Sequence, residues 1–184
     1  MCIRDSETAD PEFVAADLLA QAEHGTNSQS VLITTSRALA DAVTREIDRQ
    51  LAVLPTADAA GASWRDYGEI LLVEDDEEMR RVSDQVASEH LEVQTRDPAW
   101  FLARLKNYGS LFLGRNATVA YGDKGIGTNH VLPTGHAARY TGGLWVGKFI
   151  KTVTWQRVSD AANATVAPPF ITMADTEGMV GHAD

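Results

Sequence analysis

Phe13, Val14, Leu18 and Leu19 recur at helical spacing, between an Asp10-Pro11 pair and Gly25. Asp suits an N-cap, Pro at the first helical position forfeits no hydrogen bond, and Gly favours a helix stop, so a first helix is predicted there. Residues 30–35 (SVLITT) form a short apolar run that reads as a buried strand. Ser36 then caps a second helix with a stripe of Leu39, Ala42, Val43, Ile47 and Leu51. Residues 55–63, rich in Ala and Thr, read as a loose connection. Beyond it come a strand at 69–74, a charged helix at 76–86 and an alternating, half-buried strand at 91–95. A short helix at 98–106 and a strand at 109–114 (GSLFLG) complete the series. Strands alternating with helices predict an α/β fold, an open, mostly parallel sheet with helices on both faces.

After Gly114 the texture changes. Residues 115–143 are rich in Gly, Asn and Thr and read as a long irregular segment, of the kind that is usually functional or disordered. Residues 144–158 regain apolar side chains, and 159–184 look helical but interrupted by Pro168-Pro169. The expected organisation is a non-native or disordered leader over 1–10, an incomplete Rossmann-like half-domain over 11–143, and a helical dimerisation segment over 144–184. The abrupt ends suggest a fragment of a longer protein. No strand is followed by G-x-G-x-x-G or by a P-loop, and Gly122, Gly125 and Gly127 are spaced as loop formers.

Composition narrows the function classes. The chain has 184 residues, enough for one domain or slightly more. At 44% hydrophobic and 23% charged residues it has a soluble globular profile. Acidic residues outnumber basic ones by 26 to 16, a net charge of −10, which argues against a nucleic-acid binder that needs a cationic face. No apolar run approaches the roughly 20 residues of a membrane span, and the first residues lack a signal peptide's apolar core. Cys2 is the single cysteine, so disulfide scaffolds and thiolate zinc sites are excluded, and a reduced, cytoplasmic setting is expected. Any metal must then take nitrogen and oxygen ligands.

Three places carry candidate chemistry. Gln21 and His24, three apart near the end of the first helix, share a face, where a common ion or a plain solvated helix end are both compatible with the pattern. Glu89-His90 stands at a strand entrance, where a carboxylate and an imidazole make a workable acid/base pair or an ordinary polar loop. The stretch 122–134 puts Asp123 and His130 on a glycine-rich frame, suited to an open zinc site or to a surface turn. His136 has no evident partner, and His182 follows Glu177 in an acidic tail. Trp145, Phe149, Ile150 and Trp155 read as core or dimer-interface residues.

Taken jointly, the segments 17–25 (DLLAQAEHG), 88–91 (SEHL) and 127–134 (GTNHVLPT) resemble the C-terminal half of the histidinol dehydrogenase family, over residues 11–182 or so. The resemblance implies a zinc- and NAD-dependent homodimer that takes L-histidinol through the aldehyde to L-histidine. It implies zinc ligands at Gln21, His24, Asp123 and His182, the last given by the partner subunit, and an acid/base pair at Glu89 and His90. It implies substrate contacts from His130 and Glu177 in addition to Gln21, His24, His90, Asp123 and His182, with Glu177 also acting in trans. The cofactor-binding residues are expected mostly upstream of this chain, so the isolated chain is expected to be inactive.

Two stretches, 124–126 (KGI) and 140–149 (YTGGLWVGKF), look closer to a paralogous branch that oxidises sulfopropanediol to the acid. Lys124, beside Asp123, is then a candidate contact for an anionic sulfonate. A non-catalytic interaction module is the alternative from another class, and metal content separates the two. A zinc hydrolase is less consistent, since H-E-x-x-H is absent.

Overall fold

The computed structural model describes the backbone of residues 2–4 and residues 9–183 in full. Five strands, β1 (Cys2–Arg4), β2 (Ser30–Thr34), β3 (Gly68–Leu72), β4 (His90–Gln94) and β5 (Ser110–Leu113), form one all-parallel sheet. Their order is β3-β2-β1-β4-β5. The order reverses between β1 and β4, which makes this a doubly wound sheet of Rossmann type. The expected leader is corrected here: Cys2–Arg4 is a strand paired on both sides, and Asp10 already serves α1. Met1 and residues 5–8 of that leader lie outside the described residues.

Parallel strands need long crossovers, and helices supply them. Helix α1 (Pro11–Ala22) starts as its caps predict, with the Asp10 carboxylate accepting the Glu12 amide at 3.0 Å. It ends three residues before Gly25, so His24 lies in the turn beyond it. Helix α2 (Arg37–Leu51) is capped by Ser36, which accepts the Leu39 amide. Residues 57–67 form a third helix, α3 (Ala57–Tyr67), where a loose connection was expected. Its seat is made by small residues, with Ala60 and Ser63 fully buried and the Ser63 hydroxyl donating to the Ser28 carbonyl. Helices α4 (Asp76–Val86) and α5 (Pro98–Leu102) follow, capped by Asp75 and Asp97, and α5 is shorter than expected.

Successive side chains of a strand point to opposite faces. Leu32 of β2 joins Val14, Leu18, Leu39, Val43 and Ile47 beneath α1 and α2, whereas Val31 and Ile33 join Met79, Leu91, Val93 and Phe101 beneath α4 and α5. Strand β4 differs from its expected half-buried state: all five residues are buried, including His90, Glu92 and Gln94 on the face turned away from Leu91 and Val93.

The chain divides into two compact units, 1–146 and 147–184. In the first, the segment after β5 is less irregular than expected, with helix α6 (Val119–Lys124) and a 3-10 turn at Ala137–Arg139. In the second, α7 (Asp160–Thr176) runs continuously through Pro168 and Pro169, correcting the expected interruption, and a short α8 (Val180–Ala183) follows. No residue of α7 or α8 is buried within the unit. Among the described residues no helix is long and apolar enough to cross a membrane.

Candidate active site

Ligands of doubly wound sheets normally sit beyond the carboxyl ends of the strands, at the switch point. Here that point is the end of β1 and the start of α1. The sequence there, residues 4–10 (RDSETAD), has no glycine, and α1 opens on Asp10 and Glu12. A negative helix entrance without a glycine turn does not fit a pyrophosphate. The candidate residues gather instead at the opposite, amino edge of the sheet.

Two clefts meet there. The smaller, about 240 Å³, lies between α1, β4 and α6 and is walled by Gln21 and His24, by His90 and Glu92, and by Asp123 and Lys124. The larger, about 540 Å³, is bordered by Gln21, Ser88, Glu89, His90, Thr134 and His136 among others. Gln21 and His90 belong to both walls. The topology explains the meeting: α1 ends where β2 begins, with the Ser30 hydroxyl donating to the Leu18 carbonyl, and β4 begins at the same edge. Helix α6 comes back from the far end of β5, and Gly122 lies against Phe112, whose ring centroid is 6.1 Å from that of His90.

The electrostatics follow from burial. His90 is 9% exposed, and loss of solvation lowers its pKa to about 4, with the charge of Asp123 acting in the opposite sense. The imidazole is therefore neutral at pH 7 and able to accept a proton. Glu89 is half-buried, and desolvation raises its carboxyl above the ordinary range, with His24 opposing and Asp123 reinforcing the shift. At pH 7 the site therefore offers a neutral imidazole beside a carboxyl whose pKa is raised.

Gln21, His24 and Asp123 present an amide oxygen, an imidazole and a carboxylate to one cleft. That donor set suits zinc, which accepts nitrogen and oxygen ligands in fourfold coordination. Among the described residues no three of His, Cys, Asp and Glu form a group able to hold a metal, so the set falls short of a closed site by itself. His130 is exposed and lines neither cleft. Glu177 and His182 are exposed residues of the second unit.

Sequence reasoning missed Glu92, which lines the smaller cleft, the buried Gln94 of the same strand face, and Arg139. A polar residue at every second position of a strand inside a parallel sheet was the available signal for the first two, because such strands are normally apolar on both faces. Arg139 donates to the Gln85 carbonyl, and His136 Nδ1 lies 2.6 Å from the Val86 carbonyl oxygen, so His136 does have a partner.

A protein-family model described as histidinol dehydrogenase matches residues 1–184. A histidinol dehydrogenase homolog from Mesorhizobium japonicum is 54% identical over 97% of this chain and 36% of its own length. A sulfopropanediol 3-dehydrogenase from Ruegeria pomeroyi is 53% identical over 96% of this chain and 41% of its own length. The crystal structure of histidinol dehydrogenase from Elizabethkingia anophelis superposes with a TM-score of 0.86 at 34% identity, covering 99% of this chain and 42% of that one. The chain thus spans about two fifths of the length of these relatives.

Proposed function

Because this chain belongs to the histidinol dehydrogenase family, we propose that it supplies the metal-ligating and acid/base residues of a zinc- and NAD-dependent alcohol dehydrogenase. The observation that carries the reading is the meeting of Gln21, His24 and Asp123 with Glu89 and His90 around two adjoining clefts. In this reading Gln21, His24 and Asp123 hold the zinc with His182 of a second copy, and His130 and Glu177 contact the substrate, Glu177 also from the second copy. A zinc ion held there would orient the alcohol and polarise its oxygen. No residue of this chain is assigned to NAD, in keeping with the glycine-free, acidic entrance of α1.

The reaction takes a primary alcohol to an aldehyde and then to an acid. Neutral His90 removes the hydroxyl proton as the carbon is oxidised. Glu89, a stronger base for being desolvated, removes a proton from the water that adds to the aldehyde. L-Histidinol, giving L-histidine, is the first substrate reading. A specific residue favours a second: Lys124 stands in the wall of the smaller cleft, next to Asp123, where a cation suits the sulfonate of sulfopropanediol on its way to sulfolactate.

The test is NADH formation by the enzyme at the length of its relatives, with each alcohol in turn. Two NADH per alcohol are expected, with kcat lowered by about 10²–10⁴ in Glu89→Gln and His90→Gln. Lys124→Ala is expected to weaken turnover of the sulfonated diol alone. No NADH from either alcohol, or full activity in both Glu89→Gln and His90→Gln, overturns the reading.

A further inference from the structure

The long loop after α6 is tied back onto the segment that leads into the acid/base pair. Helix α4 ends at Val86, and Ala87 turns the chain with φ 51°, so the last carbonyls of the helix point onward without helical partners. Two side chains from the loop reach them: Arg139 donates to the Gln85 carbonyl, and His136 Nδ1 meets the Val86 carbonyl oxygen at 2.6 Å. Donors of this kind at a helix C-terminus satisfy its free carbonyls and suit its negative end. Between the two, Ala138 is 6% exposed, so the turn is seated as well as bonded. A third tie lies at Pro133, which packs on Gly109 so closely that a β-carbon there would come within 2.8 Å of the ring. Gly109 in turn donates its amide to the Ser88 carbonyl at 3.0 Å.

The loop that follows α6, and with it Asp123, is thus fastened by His136 and Arg139 to Val86 and Gln85, and by Pro133 to Gly109, which bonds Ser88. Two residues, Ala87 and Ser88, separate Val86 from Glu89. We propose that His136 and Arg139 are positioning residues, a latch that holds the Glu89-His90 pair at a fixed place relative to Asp123. The proposal rests on the acid/base reading of Glu89 and His90. Arg139 acts through the backbone of Gln85 and His136 through that of Val86, from a place in the wall of the larger cleft. A base displaced by about 1 Å loses much of its effectiveness, which sets the expected size of the effect at roughly tenfold to a hundredfold in kcat.

The experiment compares His136→Ala/Arg139→Ala, Arg139→Lys and Glu89→Gln in the zinc-loaded enzyme at the length of its relatives. The double variant is expected to lose kcat by that factor, with KM for the alcohol and zinc content unchanged. Its backbone amides at 88–90 should exchange hydrogen faster. Arg139→Lys, which keeps a donor and a charge, is expected to retain most of the activity. Unchanged kcat, unchanged amide exchange, or a loss confined to thermal stability overturns the latch while leaving the acid/base reading in place. Full activity in Glu89→Gln instead removes the acid/base reading, whatever the double variant does.

Discussion

Gly109 stands so close to Glu89 that a β-carbon on it would lie 2.6 Å from the Glu89 carbonyl oxygen. The contact is with backbone, which cannot swing aside, and the next residue fixes it further: the Ser110 amide donates to that same carbonyl at 2.8 Å. The start of β5 is thereby held against the residue beside the candidate base.

Gly109→Ala is expected to destabilise the fold by about 1–3 kcal/mol, the usual range for an overpacked site. Chemical denaturation followed by circular dichroism measures it. An unchanged midpoint would mean that the two strands separate at little cost.

Asp84 predicts a second loss. One carboxylate oxygen accepts the amides of Lys106 and Asn107, and the other pairs with Arg80 at 3.0 Å. Asp84→Ala leaves the two amides without that acceptor and is expected to cost about 1–3 kcal/mol. Arg80→Ala, which removes the partly exposed ion pairs to Asp84 and Glu77 but leaves the two amides their acceptor, is expected to cost less than about 1 kcal/mol. Equal losses in the two variants would contradict the assignment.

The pH dependence has a definite sign. Histidine in the unfolded chain titrates near 6.5 and His90 in the fold near 4, so between those values the unfolded state binds more protons. The stability His90 contributes is fully present above pH 6.5 and is lost as pH falls through the window to 4. Glu89 works oppositely: its raised carboxyl favours the fold below its ordinary value of 4.5, and that contribution is lost as pH rises through the raised value. Because the fall in His90 is the larger shift, a net loss of about 1–3 kcal/mol is expected from pH 7 to pH 4. His90→Gln should flatten this slope and Glu89→Gln should steepen it, as read from urea midpoints at several pH values.

His24→Ala tests the metal set. Zinc affinity of the enzyme at the length of its relatives is expected to fall at least tenfold, because even supporting neighbours of a metal ligand are worth that much. Competition with a chelator reads the change, with about one zinc per subunit expected before substitution. Undiminished affinity in both His24→Ala and Asp123→Asn would exclude these residues as ligands.

Elements with local signals were legible in the sequence. Helix α4 has the bounds expected of it, because Asp75 caps it and the Met79–Ser83 face is buried. Helix α3 was not legible: Thr56 makes no side-chain cap, and small residues rather than an apolar stripe seat the helix. Strand β1 gave no signal either, since three residues carry no period and all its pairing is non-local. The expected acid/base and metal positions were visible only through three motifs read jointly. Gln21 and Asp123 are about a hundred residues apart, and only the return of α6 across Phe112 brings them to one cleft. His136 and Arg139 escaped for a similar reason, as their acceptors are 50 and 54 residues away in the chain.

The position of β1 has a consequence for how the molecule acquires its shape. Cys2 is opposite Leu32 on one side and Glu92 on the other, so a three-residue strand joins what are otherwise two separate ribbons, β3-β2 and β4-β5. The second of these junctions closes a loop of about ninety residues, the kind of distant contact that slows folding. Synthesis from the amino end must therefore deliver β4 before the sheet can be zipped through its middle.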